Sequence, residues 1–354
     1  MGSLHCRSCR YGFMPPYVLE RVAVQGSERL RNVARHTLTT DQTFRTQRGP
    51  QQVVEPLTAP LPRATPGQPA RYIHSAEHRQ ELPGRLIRKE GEEASNDPAV
   101  DEAYRWLGAT YRFFWEVFER DAIDGRGMPL IGTVHYGQDY DNAFWNGAQM
   151  VFGDGDGELF NRFTASLDVV AHELAHGVTE REAGLVYAYQ SGALNESFSD
   201  VFGSLVRQHY LNRTAMQADW LIGAELLTDQ VNGRAMRSLA DPGTAYDDPV
   251  LGRDPQPGHM HDYVETQADN GGVHINSGIP NHAFYLVAMA LGGYAWRAPG
   301  HIWYDTLRDP RLAADCDFAT FAWLTEDNAD RRFGRQSREV VAIREAWRAV
   351  GVTS

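Results

Sequence analysis

The chain has 354 residues, 42% of them hydrophobic and 23% charged, with 34 Lys and Arg against 46 Asp and Glu for a formal net charge of −12. A chain of this length buries a substantial core and favours roughly two or three domains, and its acidic balance, without a long Lys/Arg run, excludes nucleic acid and anionic membrane surfaces as partners. No stretch reaches the roughly 20 apolar residues of a membrane span, and three cysteines are too few for a disulfide scaffold.

The opening, "MGSLHCRSCRYGFMPPYVLE", lacks an apolar core of signal-peptide length, so the expected precursor is cytoplasmic and any release follows a non-classical route. Cys6 and Cys9 form a CxxC beside His5, but no second pair completes a tetrahedral ligand set, and with Cys316 alone they read as free thiols. "PPYVLERVA" and "SERLRNVARHTL" read as one or two short helices joined by a turn, and the Pro- and Gln-rich, aperiodic stretch 46–70 reads as a linker. "RYIHSA" and "GRLIRKEG" are strand-like. The pattern "DPAVDEAYRWLGATYRFFWEVFERD" predicts a long helix with Asp97 as N-cap, Pro98 at the first helical position and its aromatics in the core.

"LIGTVHYG" and "NAFWNGAQMVFGDGDG" follow as strands ending in a Gly/Asp turn, whose spacing does not fit a full EF-hand loop. From there the chain is helical at 165–180, 192–210, 276–291 and 337–349, with Gly/Pro/Asp-rich loops between.

Within the first of these helices, "LDVVAHELAHGVTE" puts His172 and His176 four apart, on one face, where two imidazole nitrogens can meet at one point. Glu173, adjacent to a ligand, can reach a metal-bound water but not comfortably the metal, which suits it to act as general base. Glu196 lies on the next helix, "SGALNESFSDVFGSLVRQHY", and a turn between antiparallel helices returns it to complete a His, His, Glu zinc set with an open position for water. Asp200, one turn on, can accept the outer N–H of a ligating histidine.

HExxH followed by "GALNESFSD" resembles the thermolysin family of zinc endopeptidases, and "NAFWNG", "RSLADP" and "DNGGVHINSGI" extend the resemblance, in order, over roughly residues 100 to 350. The resemblance implies an α+β, two-domain thermolysin-like fold: a mixed α/β N-terminal domain and a mainly α-helical C-terminal domain with the zinc cleft between them. It implies one catalytic Zn2+ on His172, His176 and Glu196, with Glu173 as base. His274 and Tyr187 match the donors to the tetrahedral oxyanion, and Asp269 the carboxylate that favours charged His274. Asn142 and the backbone of Ala143 match a strand edge that pairs with extended peptide, and Arg237 matches a residue that binds a substrate carbonyl. Phe160, Phe163, Val169, Ile222 and Met236 fall where the family lines the pocket after the scissile bond, implying cleavage on the amino side of large hydrophobic residues.

Two departures stand out. At the family's double calcium site Asp168 and Asp219 match, but Arg207, Leu221 and Ala224 replace expected acids, so calcium is not expected there and an Arg207–Asp168 ion pair is. The front end is short, and Pro15, Pro16, Tyr17 and Leu19 of "PPYVL" resemble the prosegment of the protealysin branch. An extended Pro-Pro stretch is expected along the substrate cleft, in a latent precursor cut in the linker. The expected divisions are a propeptide at 1–50, a processing region at 51–70, an N-terminal catalytic domain at 71–186 and a helical domain at 187–354. Expected partners are protein and peptide substrates, the chain's own propeptide and a proteinaceous inhibitor, for a monomeric enzyme. The rivals are an HExxH aminopeptidase, for which no motif for a free amine is recognised, and a catalytically silent peptide-binding scaffold, which predicts loss of Glu173, His274 or a ligand.

Overall fold

A computed structural model describes residues 11–46, 61 and 65–354. His5, Cys6, Cys9 and most of the linker lie outside the described residues. The chain divides into two units: unit 1 holds Met1–Gly177 with Glu225–Val231 and Pro249–Leu251, and unit 2 holds Val178–Ala224, Asn232–Asp248 and Gly252–Ser354. Among the described residues, no helix is long and apolar enough to cross a membrane.

Unit 1 is built on a six-stranded mixed sheet of β1 (Tyr11–Gly12), β2 (Arg71–Ser75), β3 (Arg85–Lys89), β4 (Leu130–Val134), β5 (Ala143–Trp145) and β6 (Met150–Phe152), in the order β1-β5-β6-β4-β2-β3. The chain continues from β1 into two helices, α1 (Pro16–Gln25) and α2 (Glu28–Thr46). Pro15 is extended (φ −64°, ψ 137°), but Pro16 opens α1, so Tyr17 and Leu19 are helical and "PPYVL" is not the extended element expected of it. A proline at the first helical position lacks only an N–H that has no intrahelical partner there, so its stiffness starts a helix as readily as it holds an extended chain.

Helix α3 (Pro98–Phe118) forms as its sequence predicts. The Asp97 carboxylate accepts from Ala99 N at 3.0 Å, and the buried face includes Ala103, Leu107, Phe113 and Phe114. Tyr136, Tyr140 and Phe144 make edge-to-face pairs with centroids 5.3 to 6.2 Å apart, in a small core with Ala76 and Val151. Helix α4 (Leu167–Glu182) carries the HExxH motif.

Unit 2 is mainly helical. It contains α5 (Tyr189–Tyr210), α6 (Asp269–Asn276), α7 (Gly278–Leu291), α8 (Ala298–Leu307), α9 (Phe318–Phe333) and α10 (Arg338–Ala349). Helices α8 and α9 are additions to the sequence reading. Pro299, Gly300, Ile302, Trp303, Tyr304, Thr306 and Leu307 of α8 are all buried, which leaves only a narrow stripe of partly exposed positions at His301, Asp305 and, just past its end, Arg308. Trp303 sits edge-on to Phe284 and Phe321 and stacks on Trp347, which ties α7, α8, α9 and α10 into one core.

Candidate active site

In unit 1, α4 places His172 and His176 on one face with their Nε2 atoms 3.0 Å apart, and both rings and Glu173 are fully buried. His172, Glu173 and His176 together bring three candidate ligand atoms within 4.8 Å of one another. Two nitrogens on a tetrahedral zinc ion with bonds of 2.0 to 2.1 Å stand about 3.3 Å apart, so the paired imidazoles fit that ion as they stand. The Trp145 N–H of β5 donates to Glu173 Oε2 at 3.0 Å, which holds the carboxylate beside the edge strand. Gly177 permits the approach, since a Cβ there would meet Ile123 at 2.9 Å and the Trp145 ring at 3.2 Å.

The same edge strand is already paired. Tyr11 and Gly12 lie antiparallel opposite Trp145 and Phe144, and Phe13 N donates to Ala143 O at 2.9 Å. Asn142 Oδ1 accepts from Met14 N at 2.8 Å, and Asn142 Nδ2 donates to Asp41 of α2 at 2.9 Å. The fully buried Phe13 ring meets His172 edge-on, centroids 5.3 Å apart. The N-terminal segment thus takes hold of Asn142 and Ala143 through Tyr11–Met14, ahead of the Pro-Pro pair. Asp41, missed in the sequence, also accepts from the Tyr140 hydroxyl at 2.5 Å. Phe160, Phe163 and Val169 are buried in this unit too.

Unit 2 assembles the other half of the expected set. Glu196 accepts a short hydrogen bond from the Tyr187 hydroxyl, which also lies 3.2 Å from His274 Nε2. His274 Nε2 is 3.6 Å from Glu196 Oε1. Asp269 holds His274 twice, through ring Nδ1 at 2.7 Å and through the backbone N–H at 2.9 Å. That grip follows from a local reversal at the start of α6: Asp269, Asn270, Gly271 and Gly272 all have φ between 52° and 88°, which turns the chain so that the carboxylate meets the His274 backbone and ring. Burial opposes charge on His274, but the Asp269 and Glu196 carboxylates outweigh it and raise its pKa. Gly192 lets α5 and α6 pack closely, since a Cβ there would lie 2.4 Å from Val273.

Arg237 is 1% exposed and grips Asp200 through Nε at 2.9 and 3.1 Å and through Nη2 at 2.9 Å. Asn281 donates to the same carboxylate at 2.9 Å. The guanidinium is therefore fixed by a buried, bidentate ion pair rather than by a surface salt bridge, and removing either partner would strand a buried charge. Ile222 and Met236 are buried, with Met236 N donating to Ile222 O at 2.9 Å. Arg207 pairs with Asp219 at 3.7 Å in this unit. In unit 1, Asp168 accepts from Ser166 Oγ at 2.7 Å.

Comparison with known proteins gives the family. The thermolysin metallopeptidase catalytic-domain profile matches residues 32–180 and the corresponding alpha-helical-domain profile residues 183–352. The chain is 56% identical to an extracellular metalloprotease of Pectobacterium carotovorum subsp. carotovorum over 339 residues, covering 96% of this chain and 95% of that one. It is 48% identical to Protease PrtS of Photorhabdus sp. over 349 residues, 96% of this chain and 92% of the relative. The solved precursor of protealysin from Serratia proteamaculans matches with a TM-score of 0.89 and 54% identity over 97% of this chain and all of that one. The chain belongs to the thermolysin family of metallopeptidases and is a zinc metalloendopeptidase of its protealysin-like branch.

Proposed function

We propose that this chain is a latent neutral endopeptidase which, once freed of its first 50 or so residues, cleaves peptide bonds on the amino side of large hydrophobic residues. The observation that carries the latent state is β1. A segment of the chain itself pairs with the strand edge at Ala143 and Asn142 and seats Phe13 against His172. An extended substrate would use those same groups by strand addition. The likeness to a solved precursor supports the same reading.

The ligands in this reading are His172, His176 and Glu196, with Asp200 orienting a ligand histidine, and the ion supplies Lewis acidity that lowers the pKa of water and polarises a carbonyl. Glu173, held by the Trp145 N–H, takes the proton of the attacking water and passes it to the departing amine. Tyr187 and His274 donate to the developing oxyanion, with Asp269 keeping His274 oriented and cationic. Arg237, braced by Asp200, binds a substrate carbonyl. This reading assigns Phe160, Phe163 and Val169 of unit 1, and Ile222 and Met236 of unit 2, to the side chain after the scissile bond, on the resemblance to the family; all five are apolar and suit a hydrophobic side chain. We further propose that calcium does not bind at the family's double site, because Arg207 supplies a cation where a carboxylate is needed.

The test is hydrolysis of amino-blocked peptides that vary only after the scissile bond, assayed with the processed enzyme and with Glu173→Ala. Cleavage before Leu, Phe, Ile or Val, lost in the variant, is expected. Cleavage of the same peptides only when their amino termini are left free, one residue at a time, would make the enzyme an aminopeptidase, and undiminished cleavage by Glu173→Ala would remove the assigned base.

A further inference from the structure

We propose that His78, His135 and Asp154 form a second divalent-metal site in unit 1, separate from the active-site histidines, that takes Zn2+ or a similar borderline ion with solvent completing its shell. Among the described residues these three and the HExxH trio are the groups of His, Cys, Asp or Glu whose donor atoms converge within 4.8 Å. His135 Nδ1 stands 2.9 Å from each Asp154 oxygen, and His78 Nδ1 stands 3.5 Å from Asp154 Oδ2. Those spacings bracket the roughly 3.3 Å between neighbouring ligands of a tetrahedral zinc ion.

The surroundings have the form of a ligand set with an outer support. The Asp97 carboxylate lies 2.9 Å from His135 Nε2 and accepts that N–H; the hydrogen bond to Asp154, opposed by burial and aided by Asp97, raises the ring's pKa to about 9, so a metal at Nδ1 takes the place of the proton shared with Asp154. Asp97 is itself anchored as the N-cap of α3, through its other oxygen. The two histidines are brought together by backbone: beyond β2 and β4, Ala76 N donates to Val134 O, His78 N to His135 O and Gly137 N to Arg79 O, all at 2.9 to 3.0 Å. His78 and His135 both adopt left-handed φ, 60° and 53°, a conformation that histidine takes more readily than most side chains. The His78 side chain is 60% exposed, so the remaining coordination position opens to water. Two imidazoles and one carboxylate suit zinc, cobalt or nickel and not calcium or magnesium, which seek oxygen ligands. The rival is a plain ion triad, with His135 protonated between Asp97 and Asp154 and no affinity for metal.

The experiment is a calorimetric and mass-spectrometric titration of the full-length Glu173→Ala chain, stripped of metal, with Zn2+ and then with Co2+. A second equivalent is expected beyond the one at the active site. Its affinity should fall at least tenfold in His78→Ala, and about tenfold to a hundredfold in Asp97→Asn, where no ligand is lost. The first equivalent should be unchanged in both. His78 is exposed enough for its variant to fold, which a thermal melt checks. A single equivalent in the parent chain would overturn the site. So would a second equivalent indifferent to His78→Ala, or one showing the thiolate-to-cobalt charge-transfer band of a site at Cys6 and Cys9.

Discussion

Phe13→Ala is the sharpest probe of the prosegment. The ring is fully buried, edge-on to His172, and its backbone N–H donates to Ala143 O, so the truncation acts on the docking of β1. Phe→Ala at a buried position costs about 3 to 5 kcal/mol. Taking the lower figure, at roughly 1.4 kcal/mol per tenfold change, the docked-to-free ratio of the segment falls about a hundredfold. The unprocessed Phe13→Ala protein should therefore hydrolyse a quenched fluorescent peptide roughly a hundred times faster than the unprocessed wild type, up to the ceiling set by the mature enzyme. The rate is read in the first minutes, while intact mass shows no shortening. Val24→Ala, on the same prosegment but 69% exposed, serves as control and should leave latency unchanged. Equal latency in Phe13→Ala and wild type would refute the assignment of Tyr11–Met14 as the occupant of the substrate edge.

On the proposed mechanism Tyr187→Phe removes one oxyanion donor and should lower kcat by about a hundredfold with little change in KM; a loss confined to KM would make Tyr187 a binding group only. Asp309→Asn should destabilise the chain at neutral pH, because Asp309 accepts two hydrogen bonds from the Arg311 side chain, one from its backbone and one from Asn328. The Arg311 hydrogen bond, opposed by burial, holds the carboxyl well below its usual value of 3.8. A folded pKa below the unfolded one adds stability that is full above about pH 5 and fades as pH falls through the unfolded value. The gap in unfolding free energy between wild type and variant should accordingly narrow below about pH 4, and a gap constant from pH 7 to pH 3 would contradict the ion pair. Cys316 is 4% exposed, and burial pushes its thiol up to about 12. In a Cys6→Ser, Cys9→Ser background, no thiol should react with a disulfide reagent at pH 8 until denaturant is added.

Local chemistry was legible in the sequence and long-range pairing was not. The Asp97 cap, Pro98 and the period of α3 are statements about neighbours in the chain, and they hold. His172 and His176 share a face because the helix spacing makes them do so, and the grip of Asp269 on His274 follows from a short, glycine-containing reversal. By contrast, Asp41 meets Asn142 and Tyr140 across about a hundred residues, and nothing in "TLTTDQ" separates that carboxylate from any other acid on a polar helix. The same limit applies to Arg237: its residue type fits both a substrate carbonyl and a buried carboxylate, and only the fold supplies Asp200. Stiffness misled the reading of Pro15 and Pro16, because the φ that suits an extended chain also suits the first turn of a helix. Helix α8 was overlooked because burial on most faces narrows its polar face to His301, Asp305 and Arg308, a stripe at helical spacing but too thin to stand out in a short apolar run.

The most direct measurement is an intact-mass time course of the purified full-length chain, alone, with a zinc chelator, and as Glu173→Ala. The account predicts chelator-sensitive loss of roughly the first 50 to 70 residues, absent in the variant, with peptide hydrolysis rising as the shortened form accumulates. Shortening at the same rate in the Glu173→Ala chain, or a shortened form without zinc-dependent hydrolysis, would contradict it.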